Sequence, residues 1–264
     1  MSVIKIALIL LDDYETSDGN DFADLGKLLI ESSLLNYGNK NLIIKFEKFN
    51  FIKDIKNLPI NPLNFNLIYL TGSRKNSYEN NEFNNTLIKF IKLIFKLNNE
   101  SEHKTKLLGI CFGHQIIARA LDLETKPNDL GWEMGNTIIN NDISNNSIIP
   151  SSFIISEMHR DIVIINEFEI KNLKENLNII IFGKSNICDV QGFLKLNELL
   201  TFQGHPEFST NLTSKMINNR YENGIISKSF YLDSINRNSN LFEDGTDING
   251  NLKLQKFIHE FILN

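Results

Sequence analysis

The chain has 264 residues, enough for one large domain or two small ones, and its 42% hydrophobic composition can fill a sizeable core, which excludes a disordered protein. A formal net charge of -5 offers no basic field for nucleic acid or for an anionic membrane surface, so neither is expected as a partner. Two cysteines, with no CxxC or Cys/His ligand spacing, argue against a disulfide framework or a zinc site and for a reducing cytoplasm.

Val3 to Leu11 is a near-continuous aliphatic run, the pattern of a strand covered on both faces. It is too short to span a bilayer, and Asp12-Asp13 follows it with no small-residue cleavage site. After a polar loop, Phe22, Leu25, Leu28, Leu29 and Leu34 recur at helical spacing, with Asn20 or Asp21 as N-cap. Leu42 to Phe49 alternates apolar with polar and reads as a strand. Beyond Pro59 and Pro62, Phe65 to Leu70 is another, ending in Thr71-Gly72-Ser73-Arg74. A glycine at the carboxyl end of a parallel strand stands where ligands gather in open α/β sheets. Gly72 is therefore either an ordinary turn residue or the source of a backbone N–H for an oxyanion. Glu82 to Leu97 carries a wide apolar helical face, and Asn98 to Lys104 is a solvated connector.

Lys106 to Ala120 then reads as a buried strand, a sharp turn and a helix, with Gly109-x-Cys111-x-Gly113 at the turn. That spacing has the form of a nucleophile elbow: the nucleophile sits on a strained strand-to-helix turn, and small neighbours let chain pass close to chain. The turn also sets Cys111 at the positive end of the following helix, whose N–H groups face developing negative charge.

Thr125 to Gly135 reads as a loop and holds Trp132, the one tryptophan. From Thr137 to Phe202 short β-branched runs dominate, so parallel α/β gives way to hairpin-like antiparallel strands. Ser209 to Tyr221 and Asn251 to Leu263 are closing helices, and the polar segment 236–251 reads as a surface insertion in a single domain spanning 1–264. The expected fold is α/β and flavodoxin-like, a mostly parallel sheet flanked by helices with an antiparallel extension in the second half. Paired asparagines such as Asn80-Asn81 and Asn145-Asn146 read as compositional bias.

A thiol nucleophile needs a general base, and the base needs an orienting group. Of five histidines, His103 and His259 read as surface residues and His114 as a support for the elbow. His159 stands in a polar break and is either a pocket or a loop residue. His205 ends the apolar strand Leu199 to Phe202, and Pro206 holds it extended, so that the Glu207 carboxylate can turn back to its imidazole.

Gly109-Ile-Cys-Phe-Gly-His-Gln115 and Gln203-Gly-His-Pro-Glu-Phe208 resemble the class I glutamine amidotransferases, a likeness running from about Val3 to Tyr221. Its nearest form is the stand-alone amidotransferase-like proteins of fungi and the plant gamma-glutamyl peptidases. Thr71 to Arg74 is similar to that family's oxyanion strand, Gly131-Trp-Glu-Met-Gly135 to its G-x-E-x-G segment, and Met158 to Asp161 to its H-x-D segment. The resemblance implies that Cys111 attacks a side-chain amide, that His205 shuttles the proton and that Glu207 orients His205. It implies an oxyanion hole from the backbone of Gly72 or Ser73 and of Phe112, and a glutamyl site from Gln115, Met158, His159, Arg160 and Asp161. The product would be a gamma-glutamyl thioester, hydrolysed to glutamate with no metal or organic cofactor. Met158-His159-Arg160 departs from the His-Gly pattern of many synthetase-linked members. No acceptor domain is recognisable in the sequence. The expected activity is therefore cysteine-dependent hydrolysis of glutamine or gamma-glutamyl peptides. The alternatives are a glutaminase subunit serving a synthetase partner, and a non-catalytic regulatory protein.

Overall fold

The first strand shows how the sheet is buried. In β1 (Ser2–Leu10), Ile6, Leu8 and Leu10 enter one hydrophobic cluster, while Ala7 and Ile9 enter the other, with Leu11 just beyond the strand. Successive side chains leave a strand on opposite faces, so an unbroken aliphatic run needs apolar cover on both. The first cluster is completed by α1 (Phe22–Tyr37) and α7 (Leu252–Leu263), the second by α2 (Glu82–Glu100) and α3 (Phe112–Ala120). This is a computed structural model, and it describes residues 2–37, 42–141, 148–240 and 252–263.

The main sheet has seven strands in the order β2 (Leu42–Asn50), β1, β3 (Leu67–Leu70), β4 (Lys106–Ile110), β11 (Leu199–Phe202), β10 (Gly192–Lys195) and β9 (Ile180–Phe182). Pairing is parallel from β2 through β11 and antiparallel over the last two junctions. Two further antiparallel ribbons stand apart from it: β5 (Glu124–Pro127) with β8 (Asp161–Ile164), and β6 (Glu133–Asn140) with β7 (Ser152–His159). The mostly parallel sheet and its antiparallel extension are thus as expected.

Helix starts follow local chemistry. Asp21 caps α1 by accepting from the N–H groups of Ala23 at 2.9 Å and Asp24 at 3.0 Å. Asn81 caps α2 by accepting from Asn84 at 2.8 Å, and each such cap contributes about 1 kcal/mol.

Three local readings are corrected. The segment 125–135 is not all loop. Residues 124–127 pair with β8 although Glu-Thr-Lys-Pro has no apolar alternation, and β6 begins at Glu133. Within the stretch read as short strands lies α4 (Glu167–Asn176), opened by a reciprocal capping box between Asn166 and Glu169. Its buried face is only Leu173, so helical periodicity is nearly silent there. The third is α6 (Lys228–Asn240), a polar helix laid across β6. Gly135, at φ +87°, allows that crossing, because a Cβ there would lie 2.6 Å from the carbonyl oxygen of Ser234. Of the expected insertion 236–251, residues 236–240 are the end of α6 and the remainder lies outside the described residues.

Candidate active site

The carboxyl ends of β3, β4 and β11 lie side by side, which gathers the turns after them at one edge of the sheet. Cys111 occupies the junction of β4 and α3 at φ 50°, a left-handed conformation that a residue with a Cβ adopts only when its surroundings enforce it. The flanking glycines show the enforcement. A Cβ on Gly113 would sit 2.5 Å from the carbonyl oxygen of Leu70, and one on Gly109 would meet the Gly113 carbonyl oxygen at 2.8 Å. The Cys111 N–H donates to the Phe202 carbonyl at 2.8 Å, fastening the elbow to the neighbouring strand end.

His205 comes to the thiol from β11. Its Nδ1 lies 2.8 Å from Glu207 Oε1, which leaves Nε2 as the nitrogen available to the thiol, and the Cys111 sulfur is close enough to act on the imidazole's charge. The ring stacks on Phe208 at 3.9 Å between centroids, and its N–H donates to the Ser156 carbonyl at 2.7 Å. Burial by itself would lower the imidazole's proton affinity, but the Glu207 carboxylate and the Cys111 sulfur reverse this, and its pKa is pushed up to about 10. Glu207 is 1% exposed, so its charge acts at close range and out of water.

Gly72 is the third member of the junction. A Cβ there would approach His205 Cε1 to 2.8 Å and Cys111 Cβ to 3.7 Å, so the backbone after β3 runs directly against both side chains. Phe112 opens α3, where the first N–H groups have no partner within the helix. Sequence reasoning missed what holds the β3 loop. Asp12, 3% exposed, accepts from the Arg74 N–H at 2.6 Å, from Arg74 Nε at 2.9 Å and from the Ser73 hydroxyl at 3.3 Å. The available signal was its place immediately beyond β1, on the same carboxyl edge.

Cys111 and His205 open into a cavity of about 730 Å³, whose wall includes Gln115, Met158, His159, Arg160 and Asp161. These residues are together, but not equally free. Gln115 spends its amide N–H groups on the Asp161 carbonyl at 2.8 Å and Gln203 Oε1 at 3.2 Å. His159 is 3% exposed with both nitrogens engaged, Nδ1 at 3.2 Å from the Asp161 carbonyl and Nε2 at 3.1 Å from Glu133 and 3.2 Å from Glu157. Burial lowers its proton affinity, yet the two carboxylates raise it well above the ordinary histidine value. His114 supports the elbow as expected. It pairs through Nδ1 with the Thr201 hydroxyl at 2.8 Å and stacks on Phe193, and burial together with the His159 charge drives its pKa down to about 3.

One cluster was invisible in sequence. Glu133, His159 and Cys188 bring ligand-type atoms within 4.8 Å of one another, a donor set that zinc accepts, so the expectation of no Cys/His cluster is corrected. In this structure those groups are satisfied among themselves: His159 pairs with carboxylates, and the Cys188 thiol donates to the Val190 carbonyl at 3.5 Å. Burial pushes the Cys188 thiol up to about 12, which disqualifies it as a second nucleophile.

A mostly parallel sheet with a strained cysteine turn at its carboxyl edge, faced by a histidine–carboxylate pair, defines an α/β fold with its candidate site at the strand ends. The family is specific: residues 29–223 match the family model of glutamine amidotransferase class-I, and the chain belongs to that family. A glutamine amidotransferase-like protein of Schizosaccharomyces pombe is 32% identical over 206 residues, covering 76% of this chain and 77% of that one. A glutamine amidotransferase of Saccharomyces cerevisiae is 32% identical over 225 residues, 81% of this chain and 83% of its own. Gamma-glutamyl peptidase 4 of Arabidopsis thaliana is 26% identical over 163 residues, 61% of each chain. Among solved structures, a glutamine amidotransferase from Thermotoga maritima superimposes with a TM-score of 0.65 at 17% identity over 99% of both chains, a likeness of fold.

Proposed function

We propose that this protein hydrolyses the gamma-glutamyl amide bond of glutamine or gamma-glutamyl peptides, with Cys111 as nucleophile. The observation that carries the reading is His205 standing between the Cys111 sulfur and the Glu207 carboxylate at the mouth of the cavity. A thiol beside a histidine that is itself oriented by a carboxylate has a general base in reach. The thiolate adds to the amide carbonyl, and the oxyanion is met by the N–H groups of Phe112 and of Gly72 or Ser73. His205 gives its proton to the departing nitrogen as the C–N bond breaks, leaving a glutamyl thioester. Water, deprotonated by the now neutral His205, attacks the thioester, and glutamate leaves as the thiol is restored. Gln115 and the segment Met158 to Asp161 form the glutamyl end of the site, with Asp161 as counter-charge for the α-ammonium and Arg160 for the α-carboxylate. Among the described residues no helix is long and apolar enough to cross a membrane; a working thiol suits a reducing compartment, and the proposed location is the cytoplasm.

Purified protein and Cys111→Ala, offered glutamine and several gamma-glutamyl peptides, test this directly. Glutamate release and covalent capture by a glutamine-like electrophile are expected from the first and from neither assay with the second. No release from any substrate and no cysteine-dependent capture would reject the hydrolase. Glutamine turnover that appears only with a copurifying synthetase would transfer the reading to an ammonia-delivering subunit.

A further inference from the structure

The cavity carries more positive charge than a glutamyl group uses. Its wall includes Arg74, Lys75, Arg160, Lys215 and Arg220 against one carboxylate, Asp161, in a chain whose net charge is -5. Arg74 is neutralised by Asp12 and Asp13, and Lys75 lies 5.0 Å over the ring of Phe83. A glutamyl group brings one ammonium and one carboxylate, which Asp161 and Arg160 balance at the turn from β7 into β8. Lys75, Lys215 and Arg220 are left without a carboxylate among the described residues, and the last two share a helix. Both sit on α5 (Thr210–Glu222), and among the described residues neither has a carboxylate partner within salt-bridge distance.

Their position says which part of a substrate they meet. His205 must pass its proton to the leaving nitrogen, so the leaving group lies on the His205 side of the sulfur. The chain runs from His205 through Phe208 straight into α5, and residues 215, 216, 219 and 220, on one face of that helix, line the cavity. Lys215 Nζ reaches the Ser17 hydroxyl at 2.8 Å, and the Arg220 guanidinium lies 5.2 Å over the ring of Trp132. Arg220 is half-buried, and burial together with the nearby Arg74 charge lowers its proton affinity, with the Asp12 carboxylate opposing in part from beyond salt-bridge distance.

We propose that Lys215 and Arg220, with Trp132 beside them, form a leaving-group subsite that binds a carboxylate. The preferred substrates are then gamma-glutamyl amino acids or peptides with a free C-terminal carboxylate, rather than glutamine, whose departing ammonia has nothing to offer a cation. An arginine placed over an aromatic ring can present its N–H fork to a carboxylate with little loss of freedom. The cavity, at about 730 Å³, is of the size that encloses a drug-sized ligand, so both halves of such a substrate fit. The inference rests on the proposed hydrolysis at Cys111 and names the acceptor side of that same site.

The test compares gamma-glutamylglycine, gamma-glutamylglycinamide and glutamine. In the wild type kcat/KM for the free acid should exceed that for the amide by about tenfold to a hundredfold, mostly through KM, the range of a hydrogen bond to a charged group. Arg220→Gln, and more completely the Lys215→Gln/Arg220→Gln pair, should collapse that ratio toward unity, while Arg220→Lys keeps part of it. Thermal melts show that each variant is folded. In a second arm the acid and the amide are titrated into Cys111→Ala by calorimetry, where the acid should bind more tightly and lose its advantage when Arg220→Gln is added. Equal handling of acid and amide by the wild type, or a ratio unmoved by the double variant, overturns the subsite and leaves the hydrolase standing. No glutamate release from any of the three, with acid-selective binding intact, overturns the hydrolase and not the subsite.

Discussion

Gly72→Ala isolates the packing of the candidate site from its chemistry. Gly72 does not occupy the left-handed region, so alanine introduces no backbone strain, and its N–H remains for an oxyanion. The added methyl, however, would lie 2.8 Å from His205 Cε1, where ordinary contact begins at 3.4 Å. The imidazole must therefore retreat by about 0.6 Å, the shortfall from an ordinary carbon contact. It has nowhere to go freely, because Phe208 stacks on the ring at 3.9 Å and Glu207 holds Nδ1 at 2.8 Å. Retreat lengthens either the Glu207 contact or the one to Cys111. A 1 Å misplacement of a reacting group costs about a hundredfold, so 0.6 Å should cost on the order of tenfold in kcat, with an overpacking penalty of about 1 kcal/mol. Steady-state glutamate release read beside a thermal melt checks both. Gly19→Ala serves as the control: at φ +75° with nothing within 4 Å, it should lose about 1 kcal/mol to strain and keep its activity. If Gly72→Ala keeps activity within twofold of wild type, the closeness of Gly72 to His205 has no catalytic meaning and the geometry argued for the junction is wrong.

Glu207→Gln should lower turnover yet leave Cys111 open to electrophiles, and should bring the His205 pKa, followed by imidazole NMR, down from about 10 toward or below its ordinary value; a pKa that stays put removes Glu207 as the cause. Because the folded-state value is raised, the stability gained from the imidazolium is complete below about pH 6.5 and lost as pH rises through about 10, so melting temperature should fall across that window in the wild type and less steeply in Glu207→Gln. Under native conditions an alkylating reagent should label Cys111 and spare Cys188, whose thiol burial holds near 12; equal labelling by peptide mass spectrometry would contradict the assignment of the nucleophile. Asp12→Asn should loosen the β3 loop, since the amide cannot accept all the bonds the carboxylate does, and lower kcat several-fold with little change in KM; a pure KM effect would place Asp12 in binding instead.

How much of this was readable beforehand depended on whether the information was local. The elbow is largely a short-range pattern: Gly109 must be glycine because the following helix returns Gly113 and Ile117 against it, although Gly113 is held to glycine by Leu70 of the neighbouring strand β3. His205, Pro206 and Glu207 are likewise neighbours whose geometry Pro206 restricts, so a histidine–carboxylate pair was legible in a few residues. The main strands were legible because burial on both faces leaves an unbroken apolar run. The helix α6 was not, because it meets β6 largely through Ser234, Asn238 and Arg237, and its apolar contribution is limited to Phe230, Tyr231 and Ile235, packed beside Met134. The strand β5 was hidden for a related reason: its partner β8 supplies the pairing, and its own side chains carry no alternation.

Glu133, Glu157 and His159 show why a site can be complete in three dimensions and absent from a reading of spacing. Glu133 faces His159 directly across the β6–β7 ribbon, a register that no residue-to-residue interval in the chain encodes. Glu157, two residues before His159 on the same face of β7, sends its carboxylate against Gly204, where a Cβ would meet both oxygens within 2.9 Å. Gly204 in turn precedes His205, whose N–H is bonded to Ser156. The ribbon is thus coupled to the strand end that carries His205 through backbone and buried charge, and His159, read from sequence as a pocket or loop residue, lines the cavity and at the same time holds two buried carboxylates together beneath it. On that account the fidelity of His205 depends on β7 as well as on Glu207, and a substitution of Glu157, which does not line the cavity, should reach the reaction through the position of His205.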